Sequence, residues 1–386
     1  MRRWLAGPTR PGLQGTTSEN DINMKLGIPK ETLAGERRVA TTPEVAKRLV
    51  GKGFEVLLEA GAGVAAHYSD DAYAGVGVQL VGRADCFNAD IVLKVRRPSD
   101  DEAAAVRTGA VYISLLESCG DDALIGRMAE NGVRVLGMER MPRISRAQSM
   151  DALSSQSNIA GYRAVIEAAS RYGRFFPMMM TSAGSAKPTR LVVLGVGVAG
   201  LQAIASARRL GADVYAYDVR PETLEQIRSL GAKAIELDLG ESGAGEGGYA
   251  KELSDDAKAR QQSLLADELA KAHVIITTAL IPCRPAPELI TEDVVKRMRE
   301  GSVIVDLAAA NGGNCKLTEP DQVTEQHGVI LVGHTNYPSM VPSDASAFYA
   351  KNLSNLIEIM VDTDDGGLVL KDLAEDEITR AMLVRG

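Results

Sequence analysis

The stretch Leu191-Val-Val-Leu-Gly-Val-Gly-Val-Ala-Gly-Leu201 constrains this chain more than any other. An apolar, β-branched run leads straight into G-x-G-x-x-G at Gly195, Gly197 and Gly200. A helical pattern follows from Leu201 to Leu210, then Gly211, then a second apolar strand from Asp213 to Asp218. Strand, glycines, helix, strand and a terminal acid in this order define a βαβ unit that binds a dinucleotide. Gly195 permits the tight turn, Gly197 lets a pyrophosphate reach the backbone, and Gly200 lets the helix pack against the strand. The diphosphate is expected on the free N–H groups of the helix N-terminus. Asp218 is expected to accept hydrogen bonds from the adenosine ribose, and its charge repels a 2′-phosphate. The unit therefore favours NAD(H) over NADP(H).

The rest of the chain repeats the rhythm. Lys25 to Ile28 reads as a short strand, and Thr42-Pro43-Glu44 reads as a helix start with Thr42 as N-cap. Further strands are predicted at Phe54 to Glu59, Ile91 to Val95, Ala110 to Leu115 and Val133 to Met138. Helical patterns lie between them, at Asp101 to Arg107 and Asp121 to Glu130. Ser157 to Tyr172 reads as a linking helix. After Asp218 come strands at Ala232 to Leu237, His273 to Thr277, Ser302 to Leu307 and Val329 to Val332, then a long helix from Asp344 to Met360. Such β-α alternation gives doubly wound parallel sheets. The expected architecture is α/β, with two Rossmann-like domains and a cleft between them. The first domain, 24–155 plus 334–386, is discontinuous because the long helix crosses back to it. The second, 156–333, is the nucleotide domain. Residues 1–23 lack an apolar stretch and read as a disordered or foreign extension, so the fold is expected to start at Met24.

Composition removes other classes. The 386 residues carry a net charge of −8, and no basic stripe suggests a nucleic-acid partner. Aromatics make up only 4%, while glycine and alanine abound, which suits close-packed α/β layers. No apolar run reaches the roughly 18 residues of a membrane helix. Cys86, Cys119, Cys283 and Cys315 are far apart and read as isolated buried thiols; no metal site is expected. Gly240 to Gly248 is a glycine-rich insertion, either a solvated loop or a lid over the nucleotide. Met178-Met-Met180 reads as core filling.

The segment from Met141 to Asn158 is a polar loop with Arg143, Arg146, Gln148 and Asp151 and several hydroxyls. Chemistry alone allows a salt-bridge network between domains. Its sequence, however, resembles a signature of the alanine dehydrogenase and transhydrogenase superfamily. Met24 to Glu31, Arg38-Val-Ala40, Asp90 to Val95, Thr277 to Pro282 and Gly333 to Asn336 are similar to that family too, so the resemblance runs from Met24 to about Met360.

The resemblance implies one of two chemistries. In the dehydrogenase branch an Arg and a Lys hold the substrate, matched here by Arg38 and Lys94, and a His and an Asp complete the site. This chain has Leu115 and Ala310 at the last two positions. Transhydrogenation needs neither acid nor base, because hydride passes directly between two nicotinamide rings. The resemblance therefore implies the NAD(H)-binding component of a proton-translocating transhydrogenase. It assigns Arg143, Gln148, Asp151 and Ser154 to the reacting ring: Arg143, Asp151 and Ser154 on the carboxamide and ribose, Gln148 toward the partner's nucleotide. Gly195, Gly197, Val198, Ala199, Gly200, Asp218, Val219, Arg220, Tyr249, Thr278, Ala279 and Leu280 are expected to line NAD(H), with Tyr249 on a mobile loop. It further implies a homodimer, NADP(H) held on a partner subunit, a membrane-spanning subunit, and a cytoplasmic location peripheral to the inner membrane. The alternatives are an alanine dehydrogenase-like enzyme and a non-catalytic NAD(H) sensor.

Overall fold

The computed structural model describes residues 24–117, 122–238, 253–364 and 367–384. The expectations for residues 1–23, Cys119, the glycine-rich insertion and Tyr249 lie outside the described residues.

Two parallel sheets organise the chain. The first is built from β1 (Lys25–Ile28), β2 (Glu55–Glu59), β3 (Gln79–Val81), β4 (Ile91–Leu93), β5 (Val111–Ser114) and β6 (Arg134–Gly137). Its spatial order is β3-β2-β1-β4-β5-β6, so strand order reverses between β1 and β4. Helices α1 (Pro43–Gly51), α2 (Asp70–Ala74), α3 (Arg83–Phe87), α4 (Asp100–Ala105) and α5 (Ala123–Glu130) connect these strands. Thr42 caps α1 through Val45 N–H with Pro43 in the first turn, as the sequence pattern requires. Side chains alternate along each strand: Leu26, Ile28, Ile91 and Leu93 face one core, while Val92, Tyr112 and Val135 face another.

Helix α6 (Ala152–Arg171) leads to a two-stranded hairpin, β7 (Met179–Thr181) and β8 (Gly184–Ala186). The second sheet follows with β9 (Arg190–Leu194), β10 (Asp213–Tyr217), β11 (Lys233–Ala234), β12 (Val274–Thr277), β13 (Val303–Asp306), β14 (Val323–Gln326) and β15 (Val329–Val332). Its order is β11-β10-β9-β12-β13-β15-β14. All pairs are parallel except the edge pair β14–β15. Helices α7 (Val198–Arg209) and α6 cover the face carrying Leu191, Val193 and Ile276. Helices α9 (Asp255–Ala270) and α10 (Glu292–Arg297) cover the face carrying Val192, Leu194 and Ile275, while α8 (Thr223–Ser229) links β10 to β11.

The long helix α11 (Pro342–Met360) returns to the first sheet. Its Tyr349, Leu353, Leu356 and Ile357 are buried in the core that holds Leu26 and Ile113. A hairpin of β16 (Val361–Asp364) and β17 (Gly367–Leu370) and then α12 (Glu377–Met382) complete the chain. Leu373, Ile378 and Met382 join the same core.

Several features depart from the sequence reading, among them the expected strand Ala232 to Leu237, which reduces to β11 (Lys233–Ala234). Helix α6 starts at Ala152 rather than Ser157, because Asp151 caps it by accepting from Ser154 N–H at 2.9 Å. Met178 and Met180 are not core filling: they are 62% and 75% exposed on the β7–β8 hairpin, beside the exposed Phe175. Of the cysteines, Cys86 and Cys315 are buried free thiols, whereas Cys283 is disulfide-bonded rather than isolated. No helix of the described residues is long and apolar enough to cross a membrane.

Candidate functional site

In doubly wound sheets ligands bind beyond the carboxyl ends of the strands, where strand order reverses. In the second sheet that point lies between β9 and β12, and the glycine loop sits on it. Gly195 has φ +86°, a left-handed conformation that favours glycine. A Cβ there would lie 2.9 Å from Thr278 Oγ1 and 3.0 Å from Ala279 N. At Gly200 a Cβ would lie 2.0 Å from Gly195 O, so only glycine lets α7 start this close to β9. A Cβ on Gly197 would meet nothing within 4 Å, which leaves open space over the backbone. Gly197 is also the N-cap of α7 and brings no side-chain acceptor to its first N–H groups. Val198 and Ala199 therefore present donors to that space. These residues fit a diphosphate.

Asp218 follows the end of β10, with its side chain 5% exposed. Its Oδ2 accepts from Val196 N–H at 2.7 Å, which ties the acid to the glycine loop. Arg220 fills the remainder: its backbone N–H and Nε reach Oδ1 at 2.9 Å, and Nη2 reaches Oδ2 at 2.8 Å. A carboxylate has about four acceptor positions, and these contacts occupy them. A ribose diol can take Asp218 only if the Arg220 guanidinium moves. Val219, between them, is partly buried against the core around Leu194.

Opposite the glycines, the segment after β12 is clamped. Thr278 Oγ1 donates to Gly195 O at 3.0 Å. Buried Asn314 accepts from Ala279 N–H at 3.1 Å and returns Nδ2 to Ala279 O at 2.8 Å. Sequence reasoning missed Asn314; it lies in a loop far along the chain and carries no motif. Leu280, by contrast, is exposed.

Helix α6 links this edge to the Arg143–Ser154 loop. A Cβ on Gly161 would lie 2.0 Å from Ala199 O, so α6 and α7 touch backbone to backbone there. Asp151 is ten residues earlier, about 15 Å along the helix axis. Its carboxylate accepts from Ser154 N–H and, at 2.5 Å, from Ser154 Oγ–H. A 3-10 turn, Ser145–Met150, precedes it and is held by Asn352 and Asn355, which donate to Ser149 O at 2.9 and 3.0 Å. Arg146 makes a forked ion pair with Asp376 at 2.8 and 2.9 Å, a structural role on the outer side of the loop. Arg143 and Gln148 are exposed.

The two sheets meet through their carboxyl-end loops. Ser339 Oγ accepts from Arg37 N–H and donates to Gly35 O, both at 2.7 Å. Asn336 Nδ2 reaches Glu36 Oε2 at 3.0 Å. Behind this contact lies a buried charge network. Arg38 donates to Glu36 through Nε (2.8 Å) and Nη2 (2.6 Å) and to Gln156 through Nη1 (2.8 Å). Lys94 Nζ lies 2.7 Å from Glu102 and 3.5 Å from Glu31. Burial pushes the Glu31 carboxyl up to about 7 against the pull of Lys94. Burial also opposes ionisation of Glu36, but the hydrogen bonds and charge of Arg38 outweigh it and bring that carboxyl down to about 2. Arg38 and Lys94 are thus both matched by the chain's own acids. Leu115 is 7% exposed and packed in the first core, and Ala310 lies on a 3-10 turn, Ala309–Asn311. Among the described residues no group of three or more His, Cys, Asp or Glu is placed to hold a metal ion.

A dinucleotide cradle on the second sheet and a polar loop contributed by the first define a two-sheet nucleotide-binding protein. Known families agree. Residues 27–160 match the alanine dehydrogenase/PNT N-terminal domain, and residues 164–385 match the C-terminal domain of the same family. The chain belongs to the alanine dehydrogenase/PNT family. It is 51% identical over 363 residues to an NAD(P) transhydrogenase alpha-subunit chain of Rhodospirillum rubrum, covering 92% of this chain and 94% of that one. Its fold matches the crystal structure of a transhydrogenase from Sinorhizobium meliloti with a TM-score of 0.84 at 46% identity, over 94% of this chain and 98% of that one. An L-alanine dehydrogenase structure is more distant, with a TM-score of 0.70 at 28% identity over 87% and 89% of the two chains.

Proposed function

We propose that this chain is the NAD(H)-binding subunit of a proton-translocating NAD(P)+ transhydrogenase. In this reading 156–333 binds NAD(H), 24–155 with 334–386 forms the other wall of the cleft, and a partner domain holds NADP(H). The observation that carries it is the pairing of an intact dinucleotide cradle with Leu115, an apolar core residue, where a dehydrogenase of this family needs its histidine. A step that makes or breaks an N–H or O–H bond needs a positioned acid or base. Direct hydride transfer between nicotinamides needs only close, oriented rings and excluded water.

Bound NADH supplies the hydride from its dihydronicotinamide ring. Gly197, Val198 and Ala199 take the diphosphate on backbone donors, and Asp218 takes the adenosine ribose once Arg220 withdraws. Thr278, Ala279 and Leu280 form the facing wall. Asp151 and Ser154 hold the carboxamide and ribose with Arg143, while exposed Gln148 meets the partner's nucleotide. The exposed hairpin carrying Met178 and Met180 supports a homodimer, since such apolar projections mark contact surfaces. Partner subunits span the membrane and hold this one at its cytoplasmic face. The self-neutralised Arg38 and Lys94 count against the dehydrogenase alternative. Incubating the chain alone with NADH, pyruvate and ammonium tests that choice: NADH should stay unoxidised, and steady oxidation would establish the dehydrogenase instead.

A further inference from the structure

The amino-end edge of the second sheet, opposite the nucleotide, holds a cavity of about 240 Å³. It is separated from the glycine loop by the length of β9, roughly 17 Å. Tyr172, Arg174, His273 and Arg299 line it. The His273 ring stacks on Tyr172, with centroids 6.1 Å apart and planes 16° apart. Its Nδ1 accepts the backbone N–H of Arg190 at 3.0 Å. That bond places the proton of the neutral ring on Nε2. Yet Nε2 lies 3.1 Å from Arg299 Nη1, which can only donate. Two donors therefore face each other with no acceptor between them. The opposite tautomer would only move the fault, leaving the Arg190 N–H without a partner.

The surroundings add positive charge. Neither Arg174 nor Arg299 is paired with an acid among the described residues, although Glu300 also lines the cavity. Arg190 is paired with Glu268 at 2.5 Å, but its buried Nε has no partner. Burial first, then Arg299, Arg174 and Arg190, holds the His273 imidazolium below its ordinary range. An acceptor carrying negative charge would satisfy both facing donors at once.

We propose that this cavity is a second ligand site, taking a phosphate-class oxyanion between His273 Nε2–H and the guanidinium groups of Arg299 and Arg174. The anion lies remote from hydride transfer and needs neither the partner domain nor NADH. The test is a titration of the full chain with inorganic phosphate at fixed ionic strength, followed by the C2–H resonance of His273. An H273Q variant identifies that resonance among the four histidines. A saturable shift is expected. An R174A/R299A double variant should weaken the apparent affinity about tenfold or more, since it removes both guanidinium donors. Both arginines are exposed, so the variant should keep its fold, checked by an unchanged melting temperature. A shift that never saturates, or one that saturates equally in the double variant, overturns the proposal. Parallel titration with ribose 5-phosphate distinguishes the source: tighter binding than phosphate assigns the site to an ester, weaker binding to the free ion.

Discussion

Replacing Asp218 by Asn tests the nucleotide preference through geometry already in place. Asp218 binds the glycine loop through Val196 N–H at 2.7 Å and is covered by Arg220 through three contacts of 2.8–2.9 Å. An asparagine keeps one acceptor for Val196 but loses the charge and half of the fork for Arg220. Charge-assisted bonds are worth about 1.5–3 kcal/mol each. Losing one charge-assisted bond to the ribose should therefore weaken NADH by ~10- to 100-fold. The same change frees a guanidinium that can meet a 2′-phosphate, so NADPH should weaken far less or tighten. The assay is a pair of equilibrium titrations with NADH and NADPH on wild type and variant, with circular dichroism to confirm the fold. Equal losses for the two nucleotides would refute the reasoning and remove Asp218 from the ribose.

Other outcomes follow from the same contacts. Gly161→Ala pushes a methyl to within 2.0 Å of Ala199 O. It should destabilise the fold by about 1–3 kcal/mol and weaken NADH, measured by denaturant unfolding and titration; an unchanged midpoint would show that α6 and α7 separate freely. Gln148→Asn shortens an exposed side chain. Hydride transfer to the partner's nucleotide should slow roughly tenfold or more while NADH affinity is kept; loss of NADH affinity in titrations would place Gln148 on this chain's own nucleotide instead. Glu31 carries a folded pKa of about 7, above its ordinary value of 4.5. The unfolded chain releases that proton first, so this stabilisation is complete below pH 4.5 and fades as pH rises to about 7. Glu36, at about 2, acts oppositely: its stabilisation is present above pH 4.5 and is lost as pH falls toward 2. Glu31→Gln should flatten the slope between pH 4.5 and 7 in a series of unfolding curves, and an unaltered slope would reassign it.

The sequence carried the fold because each element announced itself locally. The Leu191–Asp218 unit, the Thr42-Pro43 helix start and the strand Val329–Val332 all stand where patterning puts them. What patterning missed depends on distant partners. The edge strand β14 has three polar residues out of four and exists through its antiparallel pairing with β15. The start of α6 rests on a cap at Asp151 inside a polar run. The pattern singles out Arg220 only by its place beside Asp218, and its fork on that carboxylate was not legible, because a two-residue spacing does not show which side chains fold back. Asn314 organises Ala279 from thirty-five residues away, and Glu36 and Glu102 neutralise Arg38 and Lys94 only once the chain is folded. Side-chain chemistry survives in sequence where a backbone motif positions it, and disappears where tertiary contacts do.

The central claim is that this chain delivers hydride directly to a nucleotide held by another protein. The measurement that tests it most directly mixes the purified chain with NADH deuterated at the transferring C4 position, NADP+ and an isolated NADP(H)-binding transhydrogenase domain. The account predicts deuterium in the NADPH formed, at a rate that depends on both proteins, and none without the partner domain. NADPH formed without the label, or transfer by this chain alone, would contradict it.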